Sequence, residues 1–128
     1  MIITGIGTDI VEVSRIERAL ERTERFAARV FTPAERDYCL AGSNPAQRFA
    51  GRFAAKEAAA KALGISLSWQ DVEILADERG KPVVRLLNGA EALTSGRTVM
   101  VSISHCRSYA VAHAVAVLCS PVRNSSAG

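Results

Sequence analysis

Residues 2 to 13, Ile-Ile-Thr-Gly-Ile-Gly-Thr-Asp-Ile-Val-Glu-Val, carry β-branched apolar side chains on both faces of a period-2 pattern, which predicts a strand buried on both sides. Ser14-Arg15-Ile16-Glu17 then has the form of a capping box. A helical pattern runs from it through the low twenties, with Ile16, Ala19 and Leu20 facing inward. A second helix starts at Thr32-Pro33-Ala34-Glu35, where a cap residue, a proline at the first helical position and a glutamate at the third stand in their preferred order. Residues 45 to 63, rich in alanine, predict the longest helix, closed by Gly64. Strands follow at about 71 to 76 and 82 to 87, joined through Asp77-Glu78-Arg79-Gly80-Lys81 as a tight hairpin. A short helix near 88 to 95 leads to a last pair of strands, Thr98 to Ser104 and Tyr109 to Leu118, each alternating in hydropathy. The expectation is an α+β fold, with a mainly antiparallel sheet packed against one long helix and several short helices. Residues 1–120 make a single domain, and the small polar residues of 121–128 make a flexible tail.

At 128 residues the chain is long enough for one core without disulfide or metal staples. Its 48% hydrophobic and 23% charged content is that of an ordinary soluble protein. No apolar run is long enough to span a bilayer, and Met1-Ile2-Ile3-Thr4 lacks the basic start of a signal peptide, so a cytoplasmic protein without membrane contact is expected. Cys39, Cys106 and Cys119 are odd in number and lack C-x-x-C spacing, which points to reduced packing residues. A net charge of +3 and a pI near 9.0 permit an acidic partner without identifying one.

The distribution of charge says more. Asp9 lies in the middle of the first strand, with Ile3, Val11 and Val13 on its own face and Ile6 and Ile10 on the other. A buried carboxylate costs several kcal/mol unless it is paired, so Asp9 either caps a turn, pairs with a cation or helps to bind a metal. On the long helix Phe49, Phe53, Glu57 and Lys61 follow one i, i+4 row, and small alanines around Glu57 allow a close approach to the sheet. Glu57 thus forms a helix salt bridge with Lys61, or meets Asp9 to suit magnesium, which takes one or two carboxylates beside substrate phosphate oxygens. Lys61 would then neutralise phosphate. Arg52 and Lys56 on the adjacent row either meet further phosphates or are solvated cations.

His105 ends a strand, where it either binds phosphate, relays a proton or is structural; Cys106 beside it points to the opposite face, which argues against a Cys–His nucleophile. Gly5-Ile6-Gly7 sits inside a strand, so its glycines thin the backbone for a close neighbour and do not make a dinucleotide fingerprint. Arg15, Arg18, Arg22 and Arg25, at i, i+3, i+7 and i+10, line one side of the first helix, either solvated or docking an acidic helix or a nucleic-acid backbone.

Together these segments resemble the holo-acyl-carrier-protein synthases, the short single-module class of 4′-phosphopantetheinyl transferases. The resemblance rests on Gly5-Ile6-Gly7-Thr8-Asp9-Ile10-Val11 with Arg15-Ile16, on Phe31-Thr32-Pro33-Ala34-Glu35, and on Gly51-Arg52-Phe53-Ala54-Ala55-Lys56-Glu57-Ala58 through Lys61-Ala62. It continues in Gly80-Lys81-Pro82 and in Val101-Ser102-Ile103-Ser104-His105 with Tyr109-Ala110. It implies a Mg²⁺-dependent enzyme that transfers 4′-phosphopantetheine from coenzyme A to a serine of apo-acyl carrier protein, releasing 3′,5′-ADP, for fatty acid biosynthesis. Asp9 and Glu57 would bind Mg²⁺ with the coenzyme A pyrophosphate, and Lys61 would contact phosphate. Arg52 and His105 would lie near the nucleotide phosphates, and Gly80-Lys81-Pro82 would border the adenine. Arg15, Arg18, Arg22 and Arg25 would dock the acidic carrier protein, and active sites would form between subunits of a homotrimer. Asp9, Glu57 or a metal-bound water would take the serine proton. Cys106 stands where the family suggests a small hydroxyl residue. From the residues alone, two other functions remain: a nucleic-acid-binding module using the arginine stripe, for which a 5% aromatic content is low, and a metal-dependent nucleotide hydrolase.

Overall fold

The structure is a computed structural model and describes residues 1–119; the tail expected over 121–128 lies outside the described residues. Strand β1 (Ile2–Glu12) forms one edge of a three-stranded sheet, β5 (Tyr109–Leu118) its centre and β4 (Arg97–His105) the other edge, all antiparallel. Along β5 the alanines at 110, 112, 114 and 116 are all buried on one face, which leaves a shallow surface for a helix. The long helix takes that place. It is Pro45–Leu63, started by the Asn44 side chain accepting from the Gln47 N–H and ended at Gly64, whose φ of +69° is open to glycine at little cost.

The same helix lies directly on β1, with Ala54, Ala55, Ala58 and Ala59 fully buried. A Cβ on Gly5 would run into the carbonyl oxygen of Ala62, and one on Gly7 into that of Ala58. The two glycines therefore bring strand and helix together backbone to backbone, as their place within a strand anticipates.

The first strand is not buried on both sides. Ile6 and Ile10 are 76% and 65% exposed on the face away from the helix, and a register shift between Ile3 and Gly5 leaves Ile3 exposed as well. The described residues supply a single layer of helix, on the side of Gly5, Gly7, Asp9 and Val11, and none of them covers the other face.

The first helix also differs from its expected form. Helix α1 (Val13–Arg22) starts straight from the strand, with the Val13 N–H still bonded to the Ser108 carbonyl, so Glu12 holds the cap position without a side-chain bond and the Ser14 capping box does not form. At Thr23 the backbone turns extended and the Thr23 hydroxyl accepts from the Arg25 N–H, opening a separate helix α2 (Glu24–Val30). Arg25 therefore stands on α2, and only Arg15, Arg18 and Arg22 share α1.

Helix α3 (Pro33–Leu40) carries the expected capping box between Thr32 and Glu35, and the long helix is the fourth, α4. After a 3₁₀ turn at Trp69–Asp71, strands β2 (Val72–Ala76) and β3 (Pro82–Leu86) form the expected hairpin. Its loop is held by the Asp77 carboxylate accepting from the Arg79 and Lys81 N–H groups, with Gly80 at φ +85°. Helix α5 (Ala90–Leu93) falls inside the span expected for it. Among the described residues no helix is long and apolar enough to cross a membrane.

Candidate active site

Asp9 belongs to the β1 row that faces α4, two residues beyond Gly7 and opposite Ala112. Because α4 touches the strand at Ala58, Lys61, a turn later, reaches the Asp9 carboxylate, and Glu57, the residue before Ala58, lies close enough for the Asp9 charge to act on its carboxyl. Lys61 Nζ is 3.5 Å from Asp9 Oδ1 and donates at 2.9 Å to the Thr8 carbonyl. The helix salt bridge weighed for Glu57 and Lys61 is replaced by this cross-element pair. Glu57 itself has no ion pair or hydrogen bond among the described residues, and its carboxyl is raised above its ordinary value, first by burial and then by the Asp9 charge, against the opposing pull of Lys61. Two carboxylates that repel one another beside one half-exposed ammonium form a site that favours an added cation. No cluster of three or more His, Cys, Asp or Glu residues occurs among the described residues, but magnesium needs only two protein carboxylates when phosphate and water complete its octahedron. The donor set fits that ion.

The raised Glu57 carboxyl gives a testable sign. A carboxyl whose folded pKa lies above its unfolded one costs nothing at pH below the unfolded value and destabilises increasingly as pH rises through the folded value. Glu57→Gln therefore raises the melting temperature of the metal-free protein at pH 7 to 8, with the gain shrinking toward pH 4. Thermal melts across that range check it, and a gain independent of pH would assign the effect to packing.

Other expected residues stand elsewhere. Arg52 and Lys56 are not solvated. The Arg52 guanidinium lies 4.3 Å over the Tyr38 ring, and its buried Nε has no hydrogen-bond partner among the described residues. Lys56 Nζ is 2.8 Å from Glu35 Oε1 and donates at 2.6 Å to the carbonyls of both Trp69 and Val72, so it is spent inside the protein and meets no phosphate. Glu35 Oε2 accepts from the Ile74 N–H at 2.6 Å, and Thr32 Oγ1 donates to Glu73 Oε2 at 2.6 Å. Sequence reasoning found Glu35 only as a capping residue; its second role has no local signal, since Lys56 and Ile74 reach it only through the fold.

His105 is exposed at the end of β4. It pairs with Ala110, whose other neighbour is Val11, which puts it on the Asp9 side of the sheet. Gly80, Lys81 and Pro82 form the tip of the β2–β3 hairpin. Within this chain no hydrogen bond or ion pair among the described residues joins them, His105 or Arg52 to Asp9, Glu57 or Lys61. Beside Lys61 an open groove of about 510 Å³ is lined by Ile6, Gly7, Thr8, His113 and Val115. Arg15, Arg18 and Arg22 line a second open depression of about 550 Å³ on α1. Cys39 is fully buried, as a packing residue should be, and burial pushes its thiol up to about 12; Cys106 and Cys119 are exposed.

Residues 5–114 match the 4′-phosphopantetheinyl transferase superfamily. The holo-[acyl-carrier-protein] synthase of Moorella thermoacetica is 52% identical over 115 residues, covering 85% of this chain and 90% of that protein. Among solved structures, the holo-(acyl-carrier-protein) synthase of Bacillus anthracis, in complex with CoA (3′,5′-ADP), is 38% identical with a TM-score of 0.76, covering 91% of this chain and 97% of the other. The holo-[acyl-carrier-protein] synthase of Neisseria meningitidis is 35% identical with a TM-score of 0.83, covering 91% and 99%. With matches of this extent, the chain belongs to the holo-[acyl-carrier-protein] synthases of the 4′-phosphopantetheinyl transferase superfamily.

Proposed function

We propose that the protein transfers the 4′-phosphopantetheine arm of coenzyme A to a serine of apo-acyl carrier protein, with the site at Asp9, Glu57 and Lys61. The observation that carries the reading is the meeting of Asp9 and Lys61 at 3.5 Å beside a Glu57 carboxyl whose charge the Asp9 carboxylate disfavours. Asp9 and Glu57 would hold Mg²⁺ with the coenzyme A pyrophosphate, and the ion would supply charge neutralisation on the phosphate oxygens. Lys61, whose ammonium is more than half exposed, turns its charge from Asp9 to a bound phosphate. The serine Oγ–phosphorus bond forms at the β-phosphorus, the serine hydroxyl proton passes to a base at the site for which Asp9 and Glu57 are candidates, the bridging phosphorus–oxygen bond breaks, and 3′,5′-ADP leaves with the electron pair. Position and charge dominate such a transfer, so no protein nucleophile is required.

His105 and Arg52 serve the nucleotide phosphates in this reading, and Gly80-Lys81-Pro82 the adenine, contributed across a subunit boundary. The apolar outer face of the sheet supports a homotrimer: Ile6 and Ile10, with Met100 on β4, stand exposed on a surface that a monomer would leave wet. Ile6→Asp should dissociate the assembly, read by sedimentation equilibrium, and lower activity with it; a fully active, trimeric variant would refute that face as the contact. The exposed arginines of α1 suit an acidic carrier helix. Charge reversal at Arg15, Arg18 and Arg22 together should raise the KM for apo-carrier by ~10-fold or more and leave the KM for coenzyme A unchanged; equal loss on both substrates would show that the arginines do not dock the carrier.

The decisive experiment is incubation with coenzyme A, Mg²⁺ and apo-carrier protein, read by intact mass, which should show a gain of ~340 Da on the carrier. Release of 3′,5′-ADP with no carrier present would mark a hydrolase instead. A single-strand-binding module is disfavoured by the aromatics, since Phe26, Phe31, Phe49, Phe53 and Trp69 pack on one another, edge-to-face or stacked, in or against the core.

A further inference from the structure

Lys56 precedes Glu57 on α4 and is 2% exposed. Its three donors are filled by three different elements: Glu35 of α3, the Trp69 carbonyl of the 3₁₀ turn and the Val72 carbonyl of β2. Glu35 is equally saturated, accepting from the Thr32 N–H at 2.8 Å and the Ile74 N–H at 2.6 Å. A buried ion pair is often replaceable by apolar residues without loss of stability. What the ammonium adds is direction, because three fixed acceptors allow it a single position.

That position sets the rotation of α4. At 3.6 residues per turn Ala58, which rests on Gly7, lies about 200° around the helix from Lys56, and Glu57 lies about 100° from each. One clamp presses the helix to the strand and the other holds its opposite side. Glu57 makes no bond of its own among the described residues, so the helix alone sets where its carboxylate stands relative to Asp9, whose charge it feels. A rotation of ~20° would carry a group on the ~5–6 Å helix radius by ~2 Å, and a misplacement of ~1 Å costs ~10²-fold in a positioned reaction. A cavity of about 50 Å³, walled by Lys56, Glu57, Leu67 and Trp69, leaves room beside the two side chains on this side of the helix.

We propose that Lys56, locked by Glu35 and the carbonyls of Trp69 and Val72, is a positioning residue that aims Glu57 at Asp9. The proposal rests on the reading that Asp9 and Glu57 share a divalent cation. The double variant Glu35→Gln/Lys56→Met removes the clamp and leaves no uncompensated charge. In the presence of coenzyme A its Mn²⁺ affinity, read from the free-ion electron paramagnetic resonance signal, should fall ~10-fold or more. The Mg²⁺ concentration for half-maximal rate should rise in parallel, with the KM for apo-carrier unchanged. Lys56→Arg, which keeps the charge but redirects the donors, should shift both in the same direction by less, and stands in if the double variant melts below the assay temperature. Wild-type Mn²⁺ affinity in the folded variants, with only a lower melting point, would overturn the proposal and reduce the pair to a staple. Glu57→Gln separates the two claims. If it loses Mn²⁺ while the Lys56 variants keep it, positioning alone fails; if it binds Mn²⁺ as wild type does, the shared-cation reading fails and positioning with it.

Discussion

Asp9→Ala is expected to lower the transfer rate by ~10³-fold or more, about 4 kcal/mol of transition-state stabilisation, while the protein melts no lower than wild type. The two effects have opposite signs because Asp9 is held against its neighbours' interests. Its pair with Lys61 spans 3.5 Å with the lysine largely in solvent, and such a pair contributes only ~0–1 kcal/mol to stability. Against that stands repulsion from Glu57, whose carboxyl Asp9 helps to raise. Removing Asp9 lets Glu57 ionise closer to its ordinary range and frees Lys61, and neither change weakens the core. What disappears is one of the two carboxylates that would grip the divalent ion, so raising Mg²⁺ should not restore kcat. Steady-state rates across a Mg²⁺ series, paired with thermal melts, check both halves. Full activity would remove Asp9 from the site, and a large drop in melting temperature would make it a structural residue.

Most elements were legible because local rules and tertiary needs agree in them. The alanine row of β5, the alanine-rich α4 between Asn44 and Gly64, and the Thr32–Glu35 capping box each need only nearby residues to be recognised. The division between α1 and α2 was not legible, since no glycine or proline marks it and the arginine periodicity runs through Thr23 without a break; only the extended backbone there moves Arg25 to a second helix. The outer face of β1 misled for another reason. Its isoleucines read as core, yet they are surface, because no described element of the chain packs on that face of the sheet. In the site, a carboxylate amid β-branched residues flagged Asp9, and the small residues around Glu57 suggested a close approach. The role of Lys56 stayed hidden: a lysine between an alanine and a glutamate on a helix looks solvated until the fold delivers Glu35 and two carbonyls to it.

Gly7→Ala tests the contact from which the geometry of the site descends, and it is expected to cost at least ~3 kcal/mol and ~10 °C in melting temperature. The added carbon would run into the Ala58 carbonyl oxygen, with the Ala62 nitrogen at 2.8 Å and Lys61 Cβ at 2.9 Å. Two of the three are backbone atoms of α4, so no rotamer change relieves the clash and the helix must lift off the strand. Gly89→Ala is the control. There a Cβ meets nothing, and the left-handed φ of +83° alone costs ~1–2 kcal/mol. Activity should separate the two variants more sharply than stability does. Lifting Ala58 displaces Glu57 beside it and moves Lys61 one turn on, which widens the gap to Asp9 on the strand below. Gly7→Ala assayed well below its melting temperature should therefore remain deeply impaired in kcat, whereas Gly89→Ala should retain its kcat. A folded Gly7→Ala protein with wild-type kcat would show that the approach of α4 to β1 does not set the distance between the two carboxylates.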